Sequence, residues 1–300
     1  MRSGELATLL RATRTDELDA LDIALFGVPF DLGTAFRPGA RFGPAAVREA
    51  SRMARLVNSA TKAAPFDLAR IGDVGDVDVT PFGIEPNVDA ITRFAERIVA
   101  AAATPVAIGG DNTITLPVLR AAAQDGPIGL VMLDAHVDFF DEFYGSRLNH
   151  AVPIRRAVEE GLLDPHRCVQ LGIRGPVLAA DDWDWGTEVG IRTITMDDYE
   201  SLGREGTVAE IRRIVGDQPV HICVDIDVLD PCEAPGTGFP ESGGMRMRDV
   251  QVILRALGGM KVASVDLCEI NPGLDPTQTT MVNALNLLFE LVCLAALGRP

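Results

Sequence analysis

Positive charge is in short supply in this chain: Lys and Arg total 27 against 43 Asp and Glu, a formal net charge of -16. Binding a nucleic-acid backbone needs clustered Lys and Arg to displace condensed counterions, so a nucleic-acid partner is not expected. An acidic balance keeps a protein soluble and mildly suits a cationic substrate. Long apolar runs are also missing. The longest apolar stretches, 98–108 and 285–297, are interrupted by polar residues or too short to span a bilayer. The segment 1–19 is charged and punctuated by Leu, without the apolar core of a signal peptide. These absences predict a soluble, cytoplasmic protein with no membrane partner. Cysteine is sparse: five residues, none in a CxxC pair, so no disulfide framework is implied. Cys223 and Cys268 fall inside apolar strand-like runs, where a buried, reduced thiol is the expected state. Cys232 follows Pro231 in a loop.

What is present is ordinary for a globular chain, 47% hydrophobic and 23% charged, enough to bury a sizeable core. Short apolar runs alternate with longer helical patterns. Strands are predicted at 22–26, 106–108, 128–133, 168–171, 191–194, 221–224 and 262–265, with a weaker one within 68–77. Helices are predicted at 44–56, 87–102, 116–123, 154–160, 207–215, 248–257 and 279–297. Pro44 suits the first position of its helix. Strands that are apolar throughout and separated by helices read as a mainly parallel sheet, covered on both faces. The fold class is therefore α/β, in three α/β/α layers, with about eight strands. No linker, repeat or composition shift divides the chain, so a single domain over 1–300 is expected, with 1–20 as an N-terminal extension.

Four of the strands run directly into unusual polar residues. Gly109-Gly110-Asp111-Asn112 follows one and Asp134-Ala135-His136-Val137-Asp138 the next; Asp225-Ile226-Asp227 ends a third, and Glu269 comes shortly after a fourth. In an open parallel sheet, ligands bind at the carboxyl ends of the strands, so these side chains share one edge. The i, i+2, i+4 spacing of Asp134, His136 and Asp138 puts all three on one side of an extended backbone, and Asp225 with Asp227 repeats the arrangement. A lone DxD is more often a turn or a helix cap. Two such clusters on separate strands of one sheet point instead to a metal, because gathered carboxylates repel one another unless cations neutralise them. Oxygen-dominated ligation with an imidazole suits Mn²⁺ better than Zn²⁺.

Gly27-Val-Pro-Phe-Asp-Leu-Gly33, Phe36-Arg-Pro-Gly-Ala-Arg-Phe-Gly-Pro44, Leu133-Asp-Ala-His-Val-Asp138, Asp225-Ile-Asp-Val-Leu-Asp-Pro231 with Pro235-Gly-Thr-Gly238, and Glu269-Ile-Asn-Pro272 resemble the ordered motifs of the ureohydrolase (arginase/agmatinase) family, in its agmatinase-like branch. The resemblance covers about 27–295. It implies an arginase-like fold and a binuclear Mn²⁺ centre, two ions per subunit, held by Asp134, His136, Asp138, Asp225 and Asp227 with Asn112 at the sixth position. It implies hydrolysis of agmatine or a related guanidino acid or amide to urea and an amine, by water activated between the ions. Glu269 would orient the guanidinium, His150 would carry a proton to the leaving amine, and Asn149 and Phe239 would line the substrate pocket. Assembly as a trimer or hexamer is implied too.

Three positions depart from the family pattern: Asn112 replaces a histidine, Ala151 a glycine, and Phe239 a threonine. Hydrolysis of another C–N bond, amide or formimino, and a degenerate homologue without activity are the alternatives. The substituent on the substrate would be read by loops around Phe36, 144–149 and 174–180. Elsewhere, His221 reads as a structurally satisfied strand residue, and His166 as a loop or surface residue. Asp31, Asp111 and Asp230 read as loop-shaping acids, and Trp183 and Trp185 as packing or subunit contacts. Arg37 and Arg41 are expected at the site, at an interface or in a loop salt bridge.

Overall fold

The computed structural model describes residues 6–179 and 182–299. Residues 1–5 of the expected extension and Ala180, at the end of one expected specificity loop, lie outside them. Nine strands are found there: β1 (Thr13–Arg14), β2 (Ile23–Gly27), β3 (Ile71–Asp76), β4 (Thr104–Ile108), β5 (Ile128–Leu133), β6 (Leu163–Ile173), β7 (Arg192–Thr195), β8 (Val220–Asp225) and β9 (Val262–Cys268). They form one sheet in the order β1-β3-β2-β4-β9-β8-β5-β6-β7, with every neighbouring pair parallel.

Side chains alternate across a strand, so each apolar run feeds two cores. Ile23 and Leu25 of β2, Val131 and Leu133 of β5, and Ile222 and Val224 of β8 enter one core. Ala24 and Phe26, Leu130 and Met132, and Cys223 enter the other. The first core is closed by α1 (Gly43–Ala50), α7 (Met196–Val215), α8 (Met247–Ala256) and α9 (Thr279–Leu297); the second by α3 (Glu85–Ala100), α4 (Thr115–Ala122) and α5 (Pro153–Glu159). The stripe on α3 shows how: Val88, Ile91, Ala95 and Ile98 are buried, one helical face at 3.6-residue spacing. Two short helices complete the described set, α2 (Pro65–Leu68) and α6 (Asp182–Val189).

Several sequence expectations change. The expected extension packs into the fold: Leu9 and Leu10 are fully buried, and β1 pairs with β3 through Thr13↔Gly72 and Arg14↔Asp73. The expected helix 44–56 ends as α1 at Ala50 and tightens into a 3₁₀ turn at Ser51–Met53. β6 starts at Leu163, which puts His166 on an exposed strand position rather than in a loop. α7 begins well before the expected 207, capped by Thr195 and broken at Gly203 (φ 65). The apolar stretch at 285–297 belongs to the 19-residue α9, long and apolar enough to cross a membrane by length and composition, yet 67% buried here.

α9 carries one buried charge, Glu290. Its carboxylate accepts from Arg255 Nε of α8 at 2.9 Å and from Asn58 Nδ2 at 2.8 Å, locking α9 to its neighbours. Removing one member of a buried pair leaves the other unsatisfied. We expect Glu290→Ala to lower unfolding stability by about 3 kcal/mol, read as a reduced urea midpoint; an unchanged midpoint would contradict this role.

Candidate metal centre

β4, β9, β8 and β5 are adjacent in the sheet, so the polar residues that follow them meet at one edge. After β4 the chain turns through Gly109 and Gly110, with φ of 79° and 86°. A Cβ on Gly110 would lie 2.7 Å from Phe30 O and 2.8 Å from Val28 O, so only glycine permits this passage. Gly110 O then accepts from Glu269 N at 2.8 Å, joining the ends of β4 and β9.

The carboxylates are held by backbone N–H groups. Asp227 accepts from Ala135 N at 3.0 Å, Asp134 from His136 N at 2.6 Å, and Asp225 from Asp227 N at 2.9 Å. His136 Nδ1 lies 3.0 Å from Asp227 Oδ2 and 3.6 Å from Asp134 Oδ1. Single donor atoms of Asp134, His136 and Asp227 all fall within 4.8 Å of one another. The segment after Leu133 is not an extended strand as the spacing had implied: Asp138 is left-handed, at φ 47. It is the fold of this loop that turns the Asp138 side chain onto Asn112.

Burial drives the Asp134 and Asp225 carboxyls well above the usual range, and the charge of Asp227 adds to it. Burial also pushes Asp138 up to about 7. Asp227 is lowered in spite of its burial because His136 faces it. Among the described residues none of Asp134, Asp138, Asp225 and Asp227 pairs with a Lys or Arg. Four buried acids beside one imidazole, with no Lys or Arg in ion-pair contact among the described residues, fit divalent cations.

Asn112 sits among these groups. Its Nδ2 donates to Asp138 Oδ2 at 2.5 Å and to Asp134 Oδ2 at 3.4 Å, while its Oδ1 accepts from Thr115 Oγ1 at 2.5 Å. Turned this way, the amide offers the carboxylates a donor and not a lone pair. Its backbone N–H donates to Glu269 Oε1 at 2.9 Å. Glu269 is buried, with φ 57, and His150 Nδ1 faces the same oxygen at 3.4 Å. Burial alone would lower the His150 pKa, but Glu269, with Asp138 and Asp111 behind it, carries it up to about 9.

Phe239 stands between the two histidines, its ring centroid 5.0 Å from that of His150 and 6.3 Å from that of His136. The exposed ring of Phe36 meets it edge-on at 5.8 Å, and Arg37 lies over Phe36 while donating to Gly238 O at 2.9 Å. Asn149, expected in the pocket, is engaged by its own loop instead. Its Nδ2 donates to Phe143 O and Ser146 O, and its Oδ1 accepts from Ala151 N. That loop presents His150.

The acids read as loop-shaping do shape loops. Asp31 accepts from Gly39 N and Arg41, Asp111 from Gly33 N and Thr113 N, and Asp230 from Cys232, Gly243 and Gly244 N–H groups. Trp185 packs on Phe139 at 5.3 Å. Sequence reasoning missed Arg174, whose guanidinium donates to the carbonyls of Gly172, Asp227, Val228, Leu229 and Glu241, bracing the loop that carries Asp227. It also missed Glu241, 3.7 Å from His136 Nε2. An arginine bonding only to carbonyls leaves no pattern in a sequence.

This geometry has known counterparts. The model of the arginase family matches residues 21–293. The guanidinopropionase of Pseudomonas aeruginosa is 43% identical, over 98% of this chain and 93% of that protein. The guanidinobutyrase of the same organism is 42% identical, over 97% and 93%. The solved proclavaminate amidino hydrolase of Streptomyces clavuligerus superposes with a TM-score of 0.96 at 37% identity, covering 100% of both chains. With the family match spanning residues 21–293 and nearly the whole length shared with these relatives, the chain belongs to the arginase family.

Proposed function

We propose that this chain hydrolyses a short guanidino compound, such as a guanidino acid or agmatine, to urea and an amine. The placement of Glu269 carries the reading: a buried carboxylate fixed by the Asn112 N–H, facing His150, beside a cluster of acids. A guanidinium is planar and always charged, and a carboxylate orients it through charge-assisted hydrogen bonds. The names of the relatives support the same chemistry.

Two Mn²⁺ ions would be held by Asp134, His136, Asp138, Asp225 and Asp227, with Asn112 at the sixth position. When bound, they supply Lewis acidity that brings water toward ionisation near neutral pH. Glu269 Oε1 is already engaged by the Asn112 N–H, which fixes the carboxylate's plane and aims it at the substrate. His150 lies within reach of Glu269 and Phe239, placed to pass a proton to the leaving nitrogen. Phe239, with the exposed Phe36 edge-on against it, would line the side of the substrate pocket next to His150. A homo-oligomer, trimer or hexamer, and a cytoplasmic place of action belong to this proposal.

A screen of urea release with Mn²⁺ against guanidinopropionate, guanidinobutyrate, agmatine and arginine tests the reading; ammonia or formamide in place of urea would overturn it. Glu269→Gln keeps the shape but removes the charge, and we expect kcat/KM to fall about 100-fold, the ~2.7 kcal/mol of a charged hydrogen bond. Phe239→Thr opens the pocket, so preference should move toward the longer guanidino compounds by about tenfold. Asn112→His replaces a carboxylate-facing amide with an imidazole. The variant should retain more Mn²⁺ per chain through dialysis than the wild type, measured by atomic emission, and equal retention would show that Asn112 does not weaken the centre.

A further inference from the structure

Behind the carboxylates, β8 and β9 carry a second set of polar side chains toward α4. Strand alternation puts His221, Cys223 and Asp225 of β8 on the same face as Ser264, Asp266 and Cys268 of β9. The register pairs them rung by rung, His221↔Ser264, Cys223↔Asp266 and Asp225↔Cys268. Apart from Asp225, which belongs to the carboxylate cluster, all are fully buried. The lowest rung is closed on itself: His221 Nδ1 meets Ser264 Oγ at 2.6 Å, and His221 Nε2 meets Asp266 Oδ2 at 2.7 Å. The other carboxylate oxygen, Asp266 Oδ1, has no hydrogen-bond partner. The Sγ atoms of Cys223 and Cys268 and a carboxylate oxygen of Asp266 lie within 4.8 Å of one another.

An unpartnered buried carboxylate oxygen is costly, and a thiol is too weak a donor to offset it. A disulfide is not the answer. Cys223 and Cys268 are diagonal across the pair, which by strand geometry sets their Cα atoms about 8 Å apart, beyond the reach of an S–S bridge. The thiols make only long contacts, Cys223 Sγ with Thr115 Oγ1 at 3.7 Å and Cys268 Sγ with Val224 O at 3.8 Å and Asp225 Oδ2 at 3.7 Å, and a cation held by both sulfurs would give Asp266 Oδ1 the partner it lacks. With Zn–S bonds of about 2.3 Å, tetrahedral ligands stand about 3.7 Å apart, so the trio needs to close by roughly 1 Å. Asn112 Oδ1, 3.9 Å from Cys223 Sγ and held by Thr115 Oγ1, marks the border with the carboxylate cluster. His221 holds the Asp266 carboxylate from behind, the outer-shell pairing that orients metal ligands.

We propose that Cys223, Cys268 and Asp266 form a separate structural site for a thiophilic divalent cation such as Zn²⁺, with His221 as its positioning residue. The ion would clamp β8 to β9 beneath Asp225 and Glu269, the residues that these strands carry to the catalytic edge.

Cobalt distinguishes the two centres, because only cysteine ligation gives a thiolate-to-Co²⁺ charge-transfer band in the near ultraviolet. The full-length protein, stripped of metal and titrated with CoCl₂, should show that band. It should persist in Asp134→Asn and vanish in the Cys223→Ser, Cys268→Ser double variant, which should also lose one Zn per chain by mass spectrometry of the metal content. Absence of the band in the wild type, or its survival in the double variant through Cys232, overturns the proposal, as does a Cys223–Cys268 disulfide in non-reducing peptide mapping. Should the double variant fail to fold, the wild-type spectrum alone decides.

Discussion

Burial of four neighbouring carboxylates, with their mutual repulsion added to it, governs this molecule. Asp134, Asp138, Asp225 and Asp227 are within a few per cent of complete burial, and among the described residues no arginine or lysine forms an ion pair with them. Carboxylates so placed repel one another and resist ionisation, which puts the edge of the sheet where they meet under stress. The rest of the loop structure holds the acids in place against that stress. Backbone N–H groups of Ala135, His136 and Asp227 each donate to an acid of the cluster. Arg174 knits the carbonyls around Asp227 into a fixed loop, and its charge helps to lower the Asp227 carboxyl.

The sheet order makes this convergence possible. β4 and β5 are sequential in the chain, yet β9 and β8 lie between them, so acids from widely separated stretches end as neighbours. Local backbone conformation completes the job. Asp138 and Glu269 both sit in the left-handed region, which costs a non-glycine residue on the order of 1 kcal/mol. Both are functional candidates, and in both the unusual turn aims the side chain back over the sheet edge. Gly175 contributes by what it lacks, since a Cβ there would lie 2.6 Å from the His136 ring.

The two sides of the centre differ in character. Around His136 the groups are acids and an imidazole with lone pairs to share. Around Asn112 an amide N–H₂ already engages Asp138, and a threonine holds the amide in that orientation. The aromatic wall is uneven as well. Phe239 touches both histidines, while Phe36 and Tyr144 stand exposed at the rim, where a substrate's distal end would pass.

Much was legible in the sequence. Apolar runs separated by helical patterns gave the parallel, two-faced sheet, because burial on both faces demands it. The Asp and His clusters after strand ends marked the catalytic edge, because alternation and sheet topology bring such residues together. Local pattern failed where burial depends on distant partners. Thr13–Arg14 is too short to register as a strand without β3 beside it, and the helix ahead of Thr207 has too few apolar positions to declare itself. Only the tertiary structure could decide that Asn149 serves its own loop, that Asp138 reaches Asn112 through a left-handed turn, and that Cys223, Asp266 and Cys268 lie together in the buried interior. Composition and spacing fix which groups a chain owns and roughly which edge they reach; orientation and partners arise from how the folded loops and strands meet, as Asn112 meets Asp138 and Cys223 meets Cys268, which no local pattern encodes.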